Sequence, residues 1–338
     1  MTRDGQPYAL DHRGDPERGR RLINQASPSQ STDGRAAKAA RPFRVTPSGL
    51  AAVAPVVFVL LWSTGFIIAR YGTRDAGPMT FLSLRLFVAA AVLIVIARVT
   101  KAPRLTREQV KWVAITGVGL HAVYLGGVFV AADLGLPSGL SALISGLHPV
   151  LTSVGALLLL GETLSRRQWL GVACGVGGVV AVVVDRLEAG ISGITAGALV
   201  AMAVSVVGMS AGTLLQRSRG GAMPLLLGTA VQYLVSALIL GVGAGAVEHF
   251  EVRFTARFWW SLLWAVVVLS IAAVLIMLWL LQRRAAARVS SLFFLTPALS
   301  SIEGAVLFGE SFGVLAVLGL LVALTGVALT TRQSDGAE

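Results

Sequence analysis

The chain has 338 residues, of which 55% are hydrophobic and 13% are charged. An ordinary soluble domain carries roughly 25% charged residues, so this sequence has too few polar side chains to cover a water-exposed surface. The composition therefore excludes a typical soluble protein and indicates a surface that faces lipid. A net charge of +11 would suggest a nucleic-acid partner for a soluble chain. In a membrane protein the same excess reflects topology, and no nucleic-acid binding is expected.

The chain divides into a polar tail and a series of apolar segments. Residues 1–48 contain almost no aliphatic run, which predicts a disordered basic tail, and residues 331–338 form a second short tail. Between them lie apolar segments of about 20 residues, the length that crosses a hydrocarbon core as a helix. The ten predicted spans are 49–69, 78–97, 111–131, 138–160, 168–184, 191–215, 222–243, 258–281, 289–308 and 313–330. The sequence thus predicts an all-α membrane protein.

Two stretches of the chain share one design: an apolar run with an internal proline, a Gly-Glu pair and a second apolar run. One constant, gap-free offset superimposes the proline, the Gly-Glu pair and two later glycines. The matched residues are Pro149 with Pro297, Gly161-Glu162 with Gly309-Glu310, Gly171 with Gly319, and Gly178 with Gly326. This agreement indicates a duplication. We place the two five-helix repeats at 49–184 and 191–330.

Lys and Arg are concentrated in alternate loops. The basic loops lie near 98–111, 161–168, 216–221 and 282–288. The positive-inside rule places these loops and both termini in the cytoplasm of a plasma or inner membrane protein. Because each repeat has an odd number of helices, the second repeat is inverted relative to the first. Inverted repeats permit two similar conformations that open to opposite sides, which is the usual basis of alternating access.

Three motifs carry a resemblance to a known family: LLWSTGFIIARY at Leu60–Tyr71, PMTFLSLR at Pro78–Arg85, and the duplicated Pro…Gly-Glu helix pair. With them, the chain from about Val53 to Thr330 resembles the EamA branch of the drug/metabolite transporter superfamily. The resemblance implies two bundles of five helices around a central cavity, with helices five and ten more peripheral. It also implies transport, often export, of amino acids or other small metabolites. Gln232 stands in the second half near the place of Arg85 in the first, and this asymmetry also resembles the family.

Arg85 and Glu303 are charged side chains at membrane depth, where a charge is costly and is a functional-site candidate by default. They lie at comparable depth and carry opposite charge, so we expect them to face one cavity and to pair directly or through water. Alternatively, Arg85 pins its helix to free carbonyls and Glu303 is a protonated packing residue. Because burial favours a protonated carboxyl, Glu303 is also a candidate for proton coupling.

Two histidines, His121 and His148, are predicted near the bilayer midplane, with Tyr124 beside them. Trp62 lies deep in the first helix, within a motif of the family. Aromatic side chains can stack on the apolar part of a solute, and tyrosine adds a hydroxyl. We therefore expect these four residues and Gln232 to line a substrate site, the alternative for each being ordinary helix packing.

Pro149 and Pro297 lie inside predicted helices. A proline there has no amide hydrogen, which leaves the carbonyls of Ser145 and Phe293 unpaired. The functional interpretation is a hinge, or carbonyls exposed to water in a cavity. The alternative is a tolerated helix kink.

The Gly-Glu pairs and the glycines of helix five have structural interpretations. Glycine is expected to end one helix, with Glu162 and Glu310 close to the positive end of the next. Gly171, Gly175 and Gly178 are expected to let helix five pack closely against a neighbour, either within a monomer or across a homodimer.

The segment Gly208–Gly212 fits the G-x-S-x-G motif of serine hydrolases, with Ser210 as nucleophile and His121 or His148 as base. That motif requires a strained turn, whereas this segment lies in the middle of a span. A non-transporting receptor or scaffold is a further alternative. The sequence favours a secondary transporter over an enzyme, with a small solute, the lipid bilayer and, if Glu303 titrates, protons as partners. With a single cysteine, Cys174, and no phosphate-binding motif, neither a metal nor a cofactor is predicted.

Overall fold

The computed structural model describes residues 50–188, 190, 194–219, 224–282, 295–310 and 313–331. The predicted tail at 1–48, most of the predicted C-terminal tail and the basic loop near 282–288 lie largely outside these residues. Within them the chain is almost entirely helical, and the only β pairing is an isolated bridge between Ala76 and Val252.

Ten helices follow one another in the described residues. They are α1 (Leu50–Gly72), α2 (Pro78–Val99), α3 (Arg107–Asp133), α4 (Ser138–Leu160), α5 (Arg166–Glu188), α6 (Ala196–Arg219), α7 (Leu225–Glu248), α8 (Ala256–Leu280), α9 (Thr296–Phe308) and α10 (Val314–Thr331). In the part of the chain described, α1 to α8 are long and apolar enough to cross a membrane, while α9 and α10 are shorter. The prediction of an all-α membrane protein is confirmed.

Two ion pairs mark opposite ends of the bundle. Arg70, at the end of α1, lies 2.5 Å from Glu310, and Arg217, at the end of α6, lies 2.8 Å from Glu162. We call these the Glu310 end and the Glu162 end. Because α1 opens the first repeat and α6 opens the second, their opposite directions show that the repeats are inverted.

Helix α4 is interrupted in its middle. It consists of two helical halves, Ser138–Ser145 and His148–Leu160, separated at Gly146 and Leu147. Pro149 stands in the first turn of the second half, where its missing amide hydrogen removes no helical bond. The helix predicted over 138–160 with an internal proline therefore consists of two halves, and the proline stands just after the break.

Helix α9 begins in the same way, with Pro297 in its first turn. Phe293, whose carbonyl was expected to be unpaired, lies outside the described residues. The two proline sites meet, since a Cβ added to Gly146 would lie 3.4 Å from Cγ of Pro297. The interruption of α4 and the start of α9 therefore cross at one point of the bundle.

In the described part of the chain, three helices contain wide π-helical turns, and those of α3 and α8 lie at corresponding positions of the two repeats. These two turns are Val118–Val123 in α3 and Trp264–Ala272 in α8, and the offset between the repeats superimposes one on the other. Such turns occur frequently at functional sites. His121 lies in the first and Ser270 in the second.

The ends of several helices follow from local chemistry. Gly161 and Gly309 have φ values of +69° and +67°, a left-handed conformation that suits glycine, so the prediction that they end α4 and α9 is confirmed. Helix α3 begins earlier than predicted because Thr106 and Gln109 form a capping box. The hydroxyl of Thr106 accepts from the amide of Gln109 at 3.2 Å, and the Gln109 side chain accepts from the amide of Thr106 at 2.9 Å.

Helices α5 and α10 touch through their backbones. A Cβ on Gly178 would lie 2.5 Å from the amide nitrogen of Ala323, and one on Gly171 would lie 2.6 Å from the carbonyl oxygen of Gly326. The close packing predicted for helix five is therefore made within the monomer.

Candidate functional site

A cavity of about 460 Å³ lies where α4 crosses α9. Five of the predicted site or hinge residues form part of its wall: Trp62, Tyr124, His148, Pro149 and Pro297. The cavity thus joins α1, α3 and α4 of the first repeat to α9 of the second.

Other wall residues were not predicted, among them Phe66, Thr152, Met209, Thr296 and Val327. Helical spacing could have found two of them, because Phe66 follows Trp62 by one turn and Thr152 follows His148 by one turn. The wall is mostly apolar with a few hydroxyl groups and one imidazole. This composition suits a small amphipathic solute.

The cavity wall reaches both sides of the helix crossing. Ala142, on the Glu310 side, is 1% exposed, whereas Ser153, on the Glu162 side, is partly exposed, so the cavity is more open toward the Glu162 end. Its wall includes Ser153, on the half of α4 that runs to Gly161, and Val327, on the half of α10 that runs to Thr331. The contacts of Arg70 and Glu310 lie beyond the crossing, on the other side.

His148 is held by α6. Its Nε2 lies 3.0 Å from the hydroxyl oxygen of Thr213, and that hydroxyl donates its hydrogen to the carbonyl of Met209 at 2.8 Å. Because a threonine hydroxyl has one hydrogen, Thr213 accepts from His148, whose hydrogen is therefore on Nε2. This bond fixes the orientation of the ring at the cavity wall.

Ser210 does not form a nucleophile–base pair. It lies inside the continuous helix α6, and its hydroxyl donates to the backbone carbonyl of His148 at 3.3 Å. The imidazole of His148 contacts Thr213 instead. The arrangement lacks the strained turn and the serine–histidine bond that a serine hydrolase requires.

Arg85 belongs to a separate buried cluster. Its Nε donates to the hydroxyl of Ser270 at 2.9 Å, and the hydroxyl of Tyr233 donates to the carbonyl of Ser270 at 3.4 Å. His121 Nε2 lies 3.3 Å from the Gln232 side-chain oxygen, and its ring meets the ring of Tyr233 edge to face. The cluster links α2, α3, α7 and α8, and brings together three predicted residues that are not on the cavity wall.

Tyr124 connects the cavity and this cluster. Its side chain lies on the cavity wall and is close enough to the guanidinium of Arg85 for the two groups to interact electrostatically. Arg85 is only 6% exposed, and no carboxylate among the described residues forms an ion pair with it. A buried cation without an anionic partner is energetically costly and is available to an anionic group.

The expected contact between Arg85 and Glu303 is not made. Oε1 of Glu303 instead lies 2.6 Å from the hydroxyl oxygen of Ser63, and neither charged residue is on the cavity wall. Helix α2 packs against α7 and α8, whereas α9 packs against α1 and α4, so similar depth does not bring the two side chains together.

The Glu310 end is held together by carboxylates that cap helices of the other repeat. Glu310 accepts from the amide of Ser138 at 2.9 Å, from the Ser138 hydroxyl at 2.9 Å and from the amide of Gly139 at 3.3 Å. It therefore caps α4, rather than the helix that follows it as expected. Its side chain is 6% exposed, against 41% for Glu162, so the two Gly-Glu pairs differ in their contacts.

A second carboxylate at this end has the same role. Glu248, at the end of α7, accepts from the amide of Met79 at 2.9 Å and from the amide and hydroxyl of Thr80, both at 2.7 Å. It caps the first turn of α2. The N-termini of two first-repeat helices are thus closed by acids of the second repeat, a favourable placement for a negative charge.

Asp75 completes the contacts of the Glu310 end. Its carboxylate lies 2.6 and 2.8 Å from Nε and Nη2 of Arg257 and accepts from the hydroxyl of Thr255 at 3.0 Å. The hydrogen bond from Arg257 is the main cause that holds the pKa of Asp75 below its ordinary value. The α1–α2 loop is thereby tied to the start of α8.

Comparison with known proteins finds one transporter family and several transporters of similar sequence. The model of the EamA-like transporter family matches the chain twice, over residues 49–184 and 195–332. "Uncharacterized transporter YvbV" of Bacillus subtilis (strain 168) is 24% identical over 284 residues, covering 83% of this chain and 91% of that protein. "Probable amino-acid metabolite efflux pump" of Escherichia coli (strain K12) is 24% identical over 285 residues, covering 81% and 92%.

A solved crystal structure has the same fold, with a TM-score of 0.60 at 20% identity over 83% of this chain and 96% of that chain. The family model covers most of the chain, in two copies that each contain five of the ten helices. This chain is accordingly a multi-pass membrane protein of the EamA-like transporter family.

Proposed function

We propose that the protein exports small metabolites such as amino acids by alternating access. The observation that carries the proposal is the position of the cavity at the crossing of α4 and α9, more open toward the Glu162 end while Glu310 caps α4 at the other end. A cavity between inverted repeats with one end closed is the arrangement that alternating access requires. The efflux pump of Escherichia coli to which the chain is similar supports export.

The charge of the loops supports an orientation in a plasma or inner membrane. Because the basic loops near 98–111 and 161–168 lie at the Glu162 end, we assign that end and both termini to the cytoplasm. The cavity is then more open toward the cytoplasm in this conformation. An exporter would load its solute from that side.

The proposed substrate class follows from the cavity wall and from the buried cluster around Arg85. The apolar wall with His148 and Tyr124 suits the side chain of an amphipathic solute, and the buried cation Arg85 suits a carboxylate. Because Tyr124 adjoins both regions, a small rearrangement would bring a carboxylate within reach of Arg85. An α-amino acid has both features. We also propose that the movement of the solute is coupled to the movement of protons, which Glu303 carries.

The test is a flux assay with the full chain in proteoliposomes and each of the twenty ¹⁴C-labelled amino acids. We expect saturable exchange of at least one amino acid, reduced in Tyr124→Phe and absent in protein-free liposomes. Flux of none of the twenty by correctly folded protein would contradict the proposed substrate class.

A further inference from the structure

The hydroxyl of Ser63 lies within hydrogen-bond distance of two oxygens. It is 2.9 Å from the carbonyl oxygen of Leu60 and 2.6 Å from Oε1 of Glu303. A serine hydroxyl has one hydrogen, so it can donate to only one of them. A carbonyl oxygen cannot donate. Both contacts are hydrogen bonds only if Glu303 carries a proton and donates it to Ser63, while Ser63 donates to Leu60.

The second oxygen of Glu303 supports the same assignment. Oε2 is buried and has no hydrogen-bond partner among the described residues. An ionised carboxylate spreads its charge over both oxygens, and leaving one of them buried without a donor is strongly unfavourable. A neutral acid needs a partner chiefly for its O–H group, and Ser63 provides it.

The groups around Glu303 do not offset a negative charge. On α1, the titratable side chains nearest α9 are Arg70 and Tyr71, and Arg70 is already bonded to Glu310 at 2.5 Å. In the first half of α4, which also packs against α9, the only polar side chains are serines. Among the described residues of α9 itself, Glu303 is the one titratable group.

Glu310 lies close to this position and takes up the nearby positive groups. A Cβ placed on Gly304, the neighbour of Glu303, would lie 2.5 Å from Oε2 of Glu310. The Glu310 carboxylate is therefore packed on the backbone beside Glu303. Because Arg70 and the N-terminus of α4 are already used by this carboxylate, they are not left to offset a charge on Glu303.

We propose that Glu303 is the proton-binding residue of this protein, that it carries its proton in this conformation, and that the proton holds α9 to α1 through Ser63. On deprotonation, the proton passes to water and Glu303 becomes an acceptor only. The hydrogen of Ser63 then turns from Leu60 to Glu303, and a buried anion remains. Water must reach it, which requires α1 and α9 to separate. The coupling of this step to solute movement rests on the proposed function.

The protonation is tested without any transport measurement, by infrared spectroscopy of the purified full chain at neutral pH. We expect a carbonyl stretching band of a protonated carboxylic acid that is absent in Glu303→Gln and shifted in Ser63→Ala. Glu162→Gln, at an exposed carboxylate, should leave the band unchanged. The absence of the band in the wild type, or its persistence in Glu303→Gln, overturns the proposal.

Ser300 supplies a matched control for the packing of the two helices. Its hydroxyl donates to the backbone carbonyl of Ser63 at 3.0 Å, so Ser300→Ala weakens the same contact without changing the number of protons. We expect Ser300→Ala to keep the infrared band at the wild-type frequency. A band that shifts as much in Ser300→Ala as in Ser63→Ala would assign the shift to helix packing and overturn the direct bond.

The coupling is tested in proteoliposomes containing a pH-sensitive dye. The amino acid that the wild type exchanges most rapidly is added to the vesicles, and protons should then cross the membrane in the direction opposite to the amino acid. Glu303→Gln should abolish this proton movement while retaining amino-acid exchange. Equal proton movement in Glu303→Gln overturns the assignment of Glu303 as the coupling site. Absence of amino-acid exchange in the wild type contradicts the proposed substrate class, while the infrared result still decides the protonation.

Discussion

Oε1 of Glu310, in the loop between α9 and α10, lies 2.9 Å from the backbone nitrogen of Ser138, the first residue of α4. The same carboxylate is bonded to Arg70 of α1. One side chain therefore joins three elements at the end of the bundle away from the cavity. These contacts must break if the cavity is to open at that end.

Glu310→Gln is expected to favour the conformation that is open at the Glu310 end. A hydrogen bond to a charged group contributes about 1.5–3 kcal/mol, so losing one shifts a two-state equilibrium by about tenfold or more. The measurement is the labelling rate of a reporter cysteine, Met209→Cys on the cavity wall, by an impermeant maleimide added at the Glu310 end. Cys174 is replaced by alanine in all variants.

Glu162→Gln is the matched control, because Glu162 is the repeat counterpart of Glu310. Its ion pair with Arg217 is exposed, and exposed pairs contribute about 0–1 kcal/mol. We expect little change in the labelling rate. Equal rates in both variants would show that the cap on α4 does not hold the Glu310 end closed.

Asp75 gives a prediction for pH dependence. Arg257 lowers the pKa of Asp75 in the folded protein, so the ionised form stabilises the fold at pH values above the ordinary pKa of 3.8. This contribution is lost as the pH falls from 3.8 through the lower folded-state value. Asp75→Asn should therefore be less stable than the wild type at pH 7, by on the order of 1 kcal/mol or more, and the difference should narrow below about pH 3.8.

Thermal unfolding in detergent between pH 7 and pH 3 measures this difference. Arg253→Gln is a suitable control because Arg253 is 73% exposed and its Nε lies 3.9 Å from Asp75. We expect Arg253→Gln to change the melting temperature only slightly. A stability difference for Asp75→Asn that is constant across the pH range would contradict the role of the ionised carboxylate.

Gly178 and Gly177 allow a test of the contact between α5 and α10. A Cβ on Gly178 would lie 2.5 Å from the amide nitrogen of Ala323, whereas one on Gly177 would have no neighbour within 4 Å. Gly178→Ala should destabilise the protein by about 1–3 kcal/mol through overpacking. Gly177→Ala should be neutral or stabilising, by up to about 1 kcal/mol. Similar melting temperatures for the two variants would exclude the backbone contact.

Arg85→Gln is expected to weaken the binding of amino acids through their carboxylate. Loss of a hydrogen bond to a charged group, about 1.5–3 kcal/mol, corresponds to a rise in KM of about 10- to 100-fold. Amino-acid amides, which have no carboxylate, should bind equally poorly to the wild type and the variant. If Arg85→Gln weakened the binding of acids and amides by the same factor, its role would be structural. Ser270→Ala, which keeps the cation, should have a smaller effect on KM.

The duplication and the helix ends could be read from the sequence because they depend on local chemistry. Pro149 and Pro297 were expected to disturb the helices that contain them, and glycine at 161 and 309 suits a left-handed turn in either repeat. The capping box of Thr106 and Gln109 is also a local pattern, although the start of α3 was predicted at residue 111. These features need no knowledge of which helices are neighbours.

The polar contacts could not be predicted in the same way. Depth along a helix is fixed by residue count, but the direction of a side chain depends on how the helix is rotated in the bundle. Arg85 and Glu303 were therefore expected to meet, although one contacts Ser270 and the other contacts Ser63. The cap on α4 by Glu310 joins residues far apart in the chain, and no local pattern indicates it.

The backbone contact between α5 and α10 has a consequence for movement. Side chains can adjust when helices slide, but the peptide groups of Gly171 and Gly326 meet with no side chain between them to take up a displacement. The two helices should consequently travel as one rigid unit that spans both repeats. Spin labels on their lipid-facing surfaces would then keep a constant separation through the transport cycle, giving a fixed reference for the motion of α1, α4 and α9.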